Sequence, residues 1–174
     1  GYTRCGRDGV PASLIAADEG VWRLTPPETP DGAWKEELLL KSPVSDAVLI
    51  DLDGDGEDEL CTLAPFHGER ISIYRKENGE YEKAWDFEED APFTHAICRG
   101  TICGVPTFVV GHRAGKMNLM AIRYDHEKKD YAVTVIDEGR GPANVMHFVN
   151  DKGIDVLIAA NRETDEVAMY EITE

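Results

Sequence analysis

Apolar residues in this chain fall into short runs closed by Gly, Pro, Asn or Asp, and no stretch holds the 3.6-residue period of an amphipathic helix over a useful length. Four of the runs follow a glycine: residues 10–15 after Gly9, 57–62 after Gly56, 105–110 after Gly104 and 154–159 after Gly153. Those glycines lie 47, 48 and 49 residues apart. After each comes a turn and a second strand-like run, at residues 20–24, 70–74, 118–124 and 166–170. A further run follows in three copies, at 34–40, 81–87 and 131–136, and an apolar run precedes each glycine, at 2–5, 47–50, 96–98 and 145–149.

Four short strands in a period of about 47 residues, joined by tight turns, match one blade of a β-propeller. Asn78-Gly79 and Asp31-Gly32 are hairpin signals placed where a third strand turns into a fourth. Pro26, Pro27 and Pro30 keep the corresponding loop of the first copy free of strand. The expected fold is therefore all-β: a single β-propeller domain over residues 1–174, built of about four four-stranded blades at 1–41, 42–90, 91–140 and 141–174. The last copy stops at Ile172 after its third strand. A small ring, two chains completing a larger ring, and part of a larger propeller are all compatible with that, and uncovered blade faces are expected to be apolar and to associate.

One copy carries chemistry. In residues 48–60, Asp51, Asp53 and Asp55 alternate along a Gly-containing loop and Glu59 follows Gly56. Alternate carboxylates in such a loop aim hard oxygens at one centre, and the glycines allow the positive φ the wrap needs. Calcium takes six to eight oxygens, which the four side chains, the Glu57 carbonyl and water supply. The loop opens like an EF-hand but has Thr62 where the bidentate Glu belongs, and its flanks read as strands. This strand–loop–strand unit resembles the FG-GAP/VCBS repeat, the blade unit of integrin α-chains and many bacterial propellers, with its loop D-x-D-x-D-G-x-x-D. On that resemblance Asp51, Asp53, Asp55 and Glu59 take the four side-chain ligand positions, Glu standing for the last Asp, and the parent propellers have seven or eight blades. The competing reading is a solvated acidic turn. In the fourth copy Lys152 sits among too few carboxylates, and the first and third have lost the loop. Calcium (Ca2+) would thus be a structural pin, and without a cation the carboxylates repel one another.

Composition narrows the partners. A formal charge of −16 and pI near 4.6 argue against nucleic acid and anionic membranes. No apolar run is long enough to span a bilayer, and no start Met or signal peptide is visible. The compartment stays open, with an extracellular or cell-surface setting implied by the resemblance alone. Cys5, Cys61, Cys98 and Cys103 lack metal spacing. Cys98 and Cys103 either face each other across a hairpin or are small buried hydrophobes.

The connections between copies read Ser42-Pro-Val-Ser-Asp46, Ala91-Pro-Phe-Thr-His95 and Gly141-Pro-Ala-Asn144. Each places a polar residue at the head of an innermost strand, so Asp46, His95 and Asn144, with His147 nearby, are candidates to gather at one mouth of the central channel. The alternative is that they cap strands and bond loop backbone. His67, His112 and His126 are expected in solvated outer turns. Trp22, Trp34, Trp85, Tyr74, Tyr124 and Tyr170 are expected between blades. Arg113, Arg140 and Arg162 fall in turns, where they meet an acidic ligand or balance the acidic surface. No hydrolase, zincin, P-loop or dinucleotide fingerprint occurs.

The chain reads as a non-catalytic, calcium-stabilised propeller module that binds protein or carbohydrate. The rival is the propeller of a sugar-active lyase or dehydratase, such as rhamnogalacturonan lyases and the aldos-2-ulose dehydratase type, with His95 as base and Asp46 as its partner. Convergence of Asp46, His95 and Asn144 in one pocket favours the enzyme, and splayed, solvated side chains favour the module.

Overall fold

The computed structural model describes residues 1–6, 9–66 and 68–173, so His67 lies outside the described residues. Among the described residues fifteen strands form four antiparallel sheets, each a simple up-and-down meander. The first blade holds β1 (Tyr2–Arg4), β2 (Ser13–Ala17), β3 (Gly20–Thr25) and β4 (Lys35–Leu40). The second holds β5 (Asp46–Ile50), β6 (Glu59–Leu63), β7 (Ile71–Glu77) and β8 (Glu80–Asp86). The third holds β9 (Thr94–Ile102), β10 (Val105–His112), β11 (Leu119–Asp125) and β12 (Asp130–Asp137). The fourth has three described strands, β13 (Pro142–Val149), β14 (Asp155–Asn161) and β15 (Glu166–Ile172). A single 3-10 turn, Arg162–Thr164, is the only helix among the described residues, and none is long and apolar enough to cross a membrane.

Burial follows position within the blade. β6 is buried at all five positions, Glu59 and Thr62 included, because a middle strand of an inner blade is covered on both faces. The outermost β8 and β12 are mostly exposed. Three apolar clusters lie at the three junctions between consecutive blades. Leu14, Val21, Leu49 and Leu60 join the first to the second. Val48, Leu63, Ile73, Phe108 and Ile122 join the second to the third. Ile102, Val109, Leu157 and Ala159 join the third to the fourth.

The sequence repeat has a backbone counterpart. In all three four-stranded blades the pairing of the third and fourth strands shifts register near the start of the third strand, at Val21/Trp22, Ile73/Tyr74 and Leu119/Met120. A bulge there raises local twist, which lets flat hairpins fan around an axis. The end blades each keep a face uncovered. Val167 and Met169 are 75% and 63% exposed on the fourth blade, and Tyr2 is 61% exposed on the first.

Two open alternatives are decided here, and two expectations, for His112 and Trp34, need correction. Cys98 and Cys103 do not face each other: β9 runs on to Ile102, and the turn is Cys103-Gly104, both with positive φ. Five residues of extended strand hold the two sulfurs too far apart to bridge, and all four cysteines are free thiols. His112 is not solvated but 1% exposed. Its Nδ1–H donates to the Ala114 carbonyl at 2.8 Å and its Nε2 accepts the Asn118 N–H at 3.2 Å, which makes burial of the neutral ring tolerable. Burial correspondingly lowers its pKa. Trp34 lies just ahead of β4 and is exposed, because the proline-rich loop carries it off the sheet. Finally, the turn arginines meet the chain's own carboxylates. Arg113 bonds Glu163 through Nε and Nη2 at 2.9 and 2.6 Å while stacking on Phe93, and Arg140 reaches Asp137 and Glu166.

Candidate functional site

The acidic loop connects β5 to β6, the innermost strand of the second blade to its neighbour. Gly54 and Gly56 take positive φ of 77° and 97°, which curls the chain back on itself. Asp51 anchors the curl with both oxygens: Oδ1 accepts the Gly54 N–H at 2.7 Å and Oδ2 the Gly56 N–H at 3.0 Å. The next carboxylates divide their oxygens. Asp53 Oδ1 accepts the Asp55 N–H, Asp55 Oδ1 the Glu57 N–H, and Glu59 Oε2 the Leu52 N–H at 2.7 Å.

The remaining oxygen of each points to one place. Arg75, on β7, bonds Asp53 Oδ2, lies 3.2 Å from Asp55 Oδ2 through Nη2, and lies 3.6 Å from Glu59 Oε1 through Nε. Its position follows from the hairpin: Leu60 pairs with Tyr74, so the next residue on β7 comes level with Glu59. Behind it stands the third blade, with the guanidinium 6.0 Å from the Tyr124 ring centre. Tyr131, edge-on to Tyr124, has a buried hydroxyl without a partner among the described residues.

Charge and burial are concentrated here. Side-chain exposure is 3% for Glu59 and 7% for Asp53, against 50% for Asp55. Burial pushes the Glu59 carboxyl up to about 7; the Asp53 charge adds to the rise, while the Leu52 N–H and Arg75 oppose it. Burial and the Glu59 charge likewise raise the Tyr131 phenol.

The donor set suits a hard cation. Ligand atoms of Asp51, Asp53 and Glu59 lie within 4.8 Å of one another, all of them carboxylate oxygens. Calcium would be held by Asp51, Asp53 and Glu59; Asp55, half exposed with its free oxygen on Arg75, is not in that converging group, and Glu57 would offer its carbonyl. The Glu57 side chain turns away to Lys76 at 3.1 Å.

The strand-head residues are arranged differently. Asp46 Oδ1 accepts the Ala47 N–H at 2.9 Å. Burial raises its pKa, opposed by that N–H, the terminal amine and His95. His95 is exposed and its Nδ1–H donates to the Ala143 carbonyl at 2.7 Å, which ties β9 to β13. Asn144, next along, is exposed. The structure sets these residues at neighbouring strand heads, and their polar atoms go to backbone or solvent.

His147 is placed elsewhere. It borders a central cleft of about 420 Å3 lined by all four innermost strands, including Arg4, Val48, Cys98, Arg99 and Met146. Its Nε2 donates to Asp155 Oδ1 at 2.6 Å, and Asp155 Oδ2 accepts the Cys103 N–H at 2.8 Å. The Cys103 N–H, then His147, hold the Asp155 carboxyl below its ordinary range. Burial pushes the neighbouring Cys98 thiol up to about 12, against a bond from the His147 N–H, and leaves it far from the thiolate a nucleophile requires. Sequence reasoning missed Arg75, Arg4 and Arg99. Only Arg75 left a usable signal, a basic residue across the hairpin from the last loop carboxylate.

No family model matches the chain, and no curated protein matches it. Among solved structures it is similar to BBS1N, crystallised in complex with ARL6DN and soaked with lead, with a TM-score of 0.56 and 16% identity. The match covers 98% of this chain and 56% of that one, so this chain spans little more than half of the propeller it resembles. Identity that low speaks to fold alone, and the fold the two share is the β-propeller.

Proposed function

We propose that this chain is a non-catalytic propeller module for protein binding, with residues 51–59 as a calcium site of the FG-GAP/VCBS kind. The observation that carries the calcium half is the convergence of Asp51, Asp53 and Glu59 oxygens within 4.8 Å, at a turn joining two strands of one blade. BBS1N, the propeller similar to this one, was solved bound to a protein, which fits a binding role for the rigid blade scaffold. The uncovered apolar faces of the end blades suit a second copy or further blades.

The lyase reading has less support. Asp46 and His95 each bond a backbone group, His95 through the Ala143 carbonyl and Asp46 through the Ala47 N–H, and Asn144 is exposed. Incubation with a panel of uronic-acid polysaccharides should therefore give neither retention nor an unsaturated product absorbing in the ultraviolet. Turnover that His95→Ala abolishes would replace the module reading with the enzyme.

Thermal melting tests the metal. Calcium at a hundredfold excess over its Kd adds about 2.7 kcal/mol if it binds only the folded chain. For a domain of this size that is a rise in Tm of roughly 5–10 °C. Asp53→Ala should remove the rise, and melts identical in calcium and chelator would count against the site.

A further inference from the structure

The carboxylates of this loop do not face one another without a cation, because the chain brings its own. We infer that Arg75 is the cation around which the metal-free loop is built, and that calcium binds by displacing it. The inference rests on the calcium reading above and adds the residue that sets the affinity. Two observations carry it. Asp53, Asp55 and Glu59 each give one oxygen to a loop N–H and turn the other to Arg75, the division of labour an ion-binding loop needs. A single guanidinium thus gathers every one of those three free oxygens. The second observation is mobility by construction: the Arg75 side chain is one-third exposed, whereas the Asp53 and Glu59 side chains are only 7% and 3% exposed. The long arm can leave to solvent while the cage stays.

A guanidinium spreads its charge over a planar fork, satisfies three carboxylates and holds the loop closed without metal. It also lowers the potential that attracts calcium. Exchange then costs the ion pairs that Arg75 makes, so the wild-type loop binds calcium more weakly than its carboxylate count implies, and the fold survives without it.

Calorimetric titration of calcium into the wild-type chain and Arg75→Gln tests the exchange. Arg75→Gln should bind roughly ten- to a hundredfold tighter, the range set by removing one charge a few ångströms away in a partly solvated site. It should also melt lower than wild type in chelator and regain the difference in calcium. Equal, measurable affinities in the two proteins would overturn the exchange and leave the calcium reading standing. No heat from either would overturn both. Should Arg75→Gln fail to fold in chelator, the wild-type chain decides the matter by NMR. The Arg75 Nε–H resonance, assigned by its loss in Arg75→Lys, should shift and exchange faster with water as calcium is added. A resonance unchanged at saturation overturns the exchange.

Discussion

Replacing Phe108 with alanine should lower the stability of the folded chain by about 3–5 kcal/mol, the cost of emptying a large buried ring from a core that relaxes only partly. Phe108 is fully buried in the middle of β10 and belongs to the cluster joining the second and third blades. The same cluster includes Leu63, Ile73 and Ile122 from both sides of the junction, and a close-packed core refills such a void only in part. Urea unfolding followed by tryptophan fluorescence should show the midpoint fall with the slope unchanged. Phe108→Leu, which keeps much of the volume, should cost less than half as much. A loss under about 1 kcal/mol for alanine would mean that the blades do not depend on this junction.

Gly20→Ala should cost about 2–5 kcal/mol from a methyl group alone, combining backbone strain with a steric clash. Gly20 opens β3 at the hairpin from β2, with φ of +134°, where residues with a side chain rarely sit. A Cβ there would lie 1.9 Å from the Leu40 carbonyl oxygen, which is backbone and cannot rotate away. Either β4 moves off the blade or the hairpin changes conformation. In thermal melts the loss should appear as a fall of roughly 5–15 °C. A variant that melts with the wild type would show that β3 and β4 do not approach each other as closely as this.

The acidic loop was legible because its information is local. Alternating carboxylates and two glycines set the turn and the carboxylate positions within nine residues. Arg75 was not legible in the same way. It follows Glu59 by sixteen residues and meets it only through the register of a hairpin whose connecting loop the sequence does not fix. The strand heads were placed correctly along the chain, yet their chemistry was not predictable. A polar residue at such a position can face a channel or bond its own backbone, and Asp46 and His95 both found backbone partners. His112 shows the same limit from the other side: a residue expected in solvent was buried because Ala114 and Asn118 supplied a partner for each ring nitrogen.

Sequence alone determined the all-β architecture and its period, because a recurring glycine and alternating runs of strand length are properties of adjacent residues, repeated four times. It also determined where the acidic loop sits. Tertiary structure decided what that loop holds in the absence of metal, which faces of the end blades stay uncovered, and which histidines and arginines are already satisfied. Those outcomes depend on partners brought from tens of residues away by strand register and blade packing. A side chain's neighbours across a sheet, unlike its neighbours along the chain, exist only once the fold has formed.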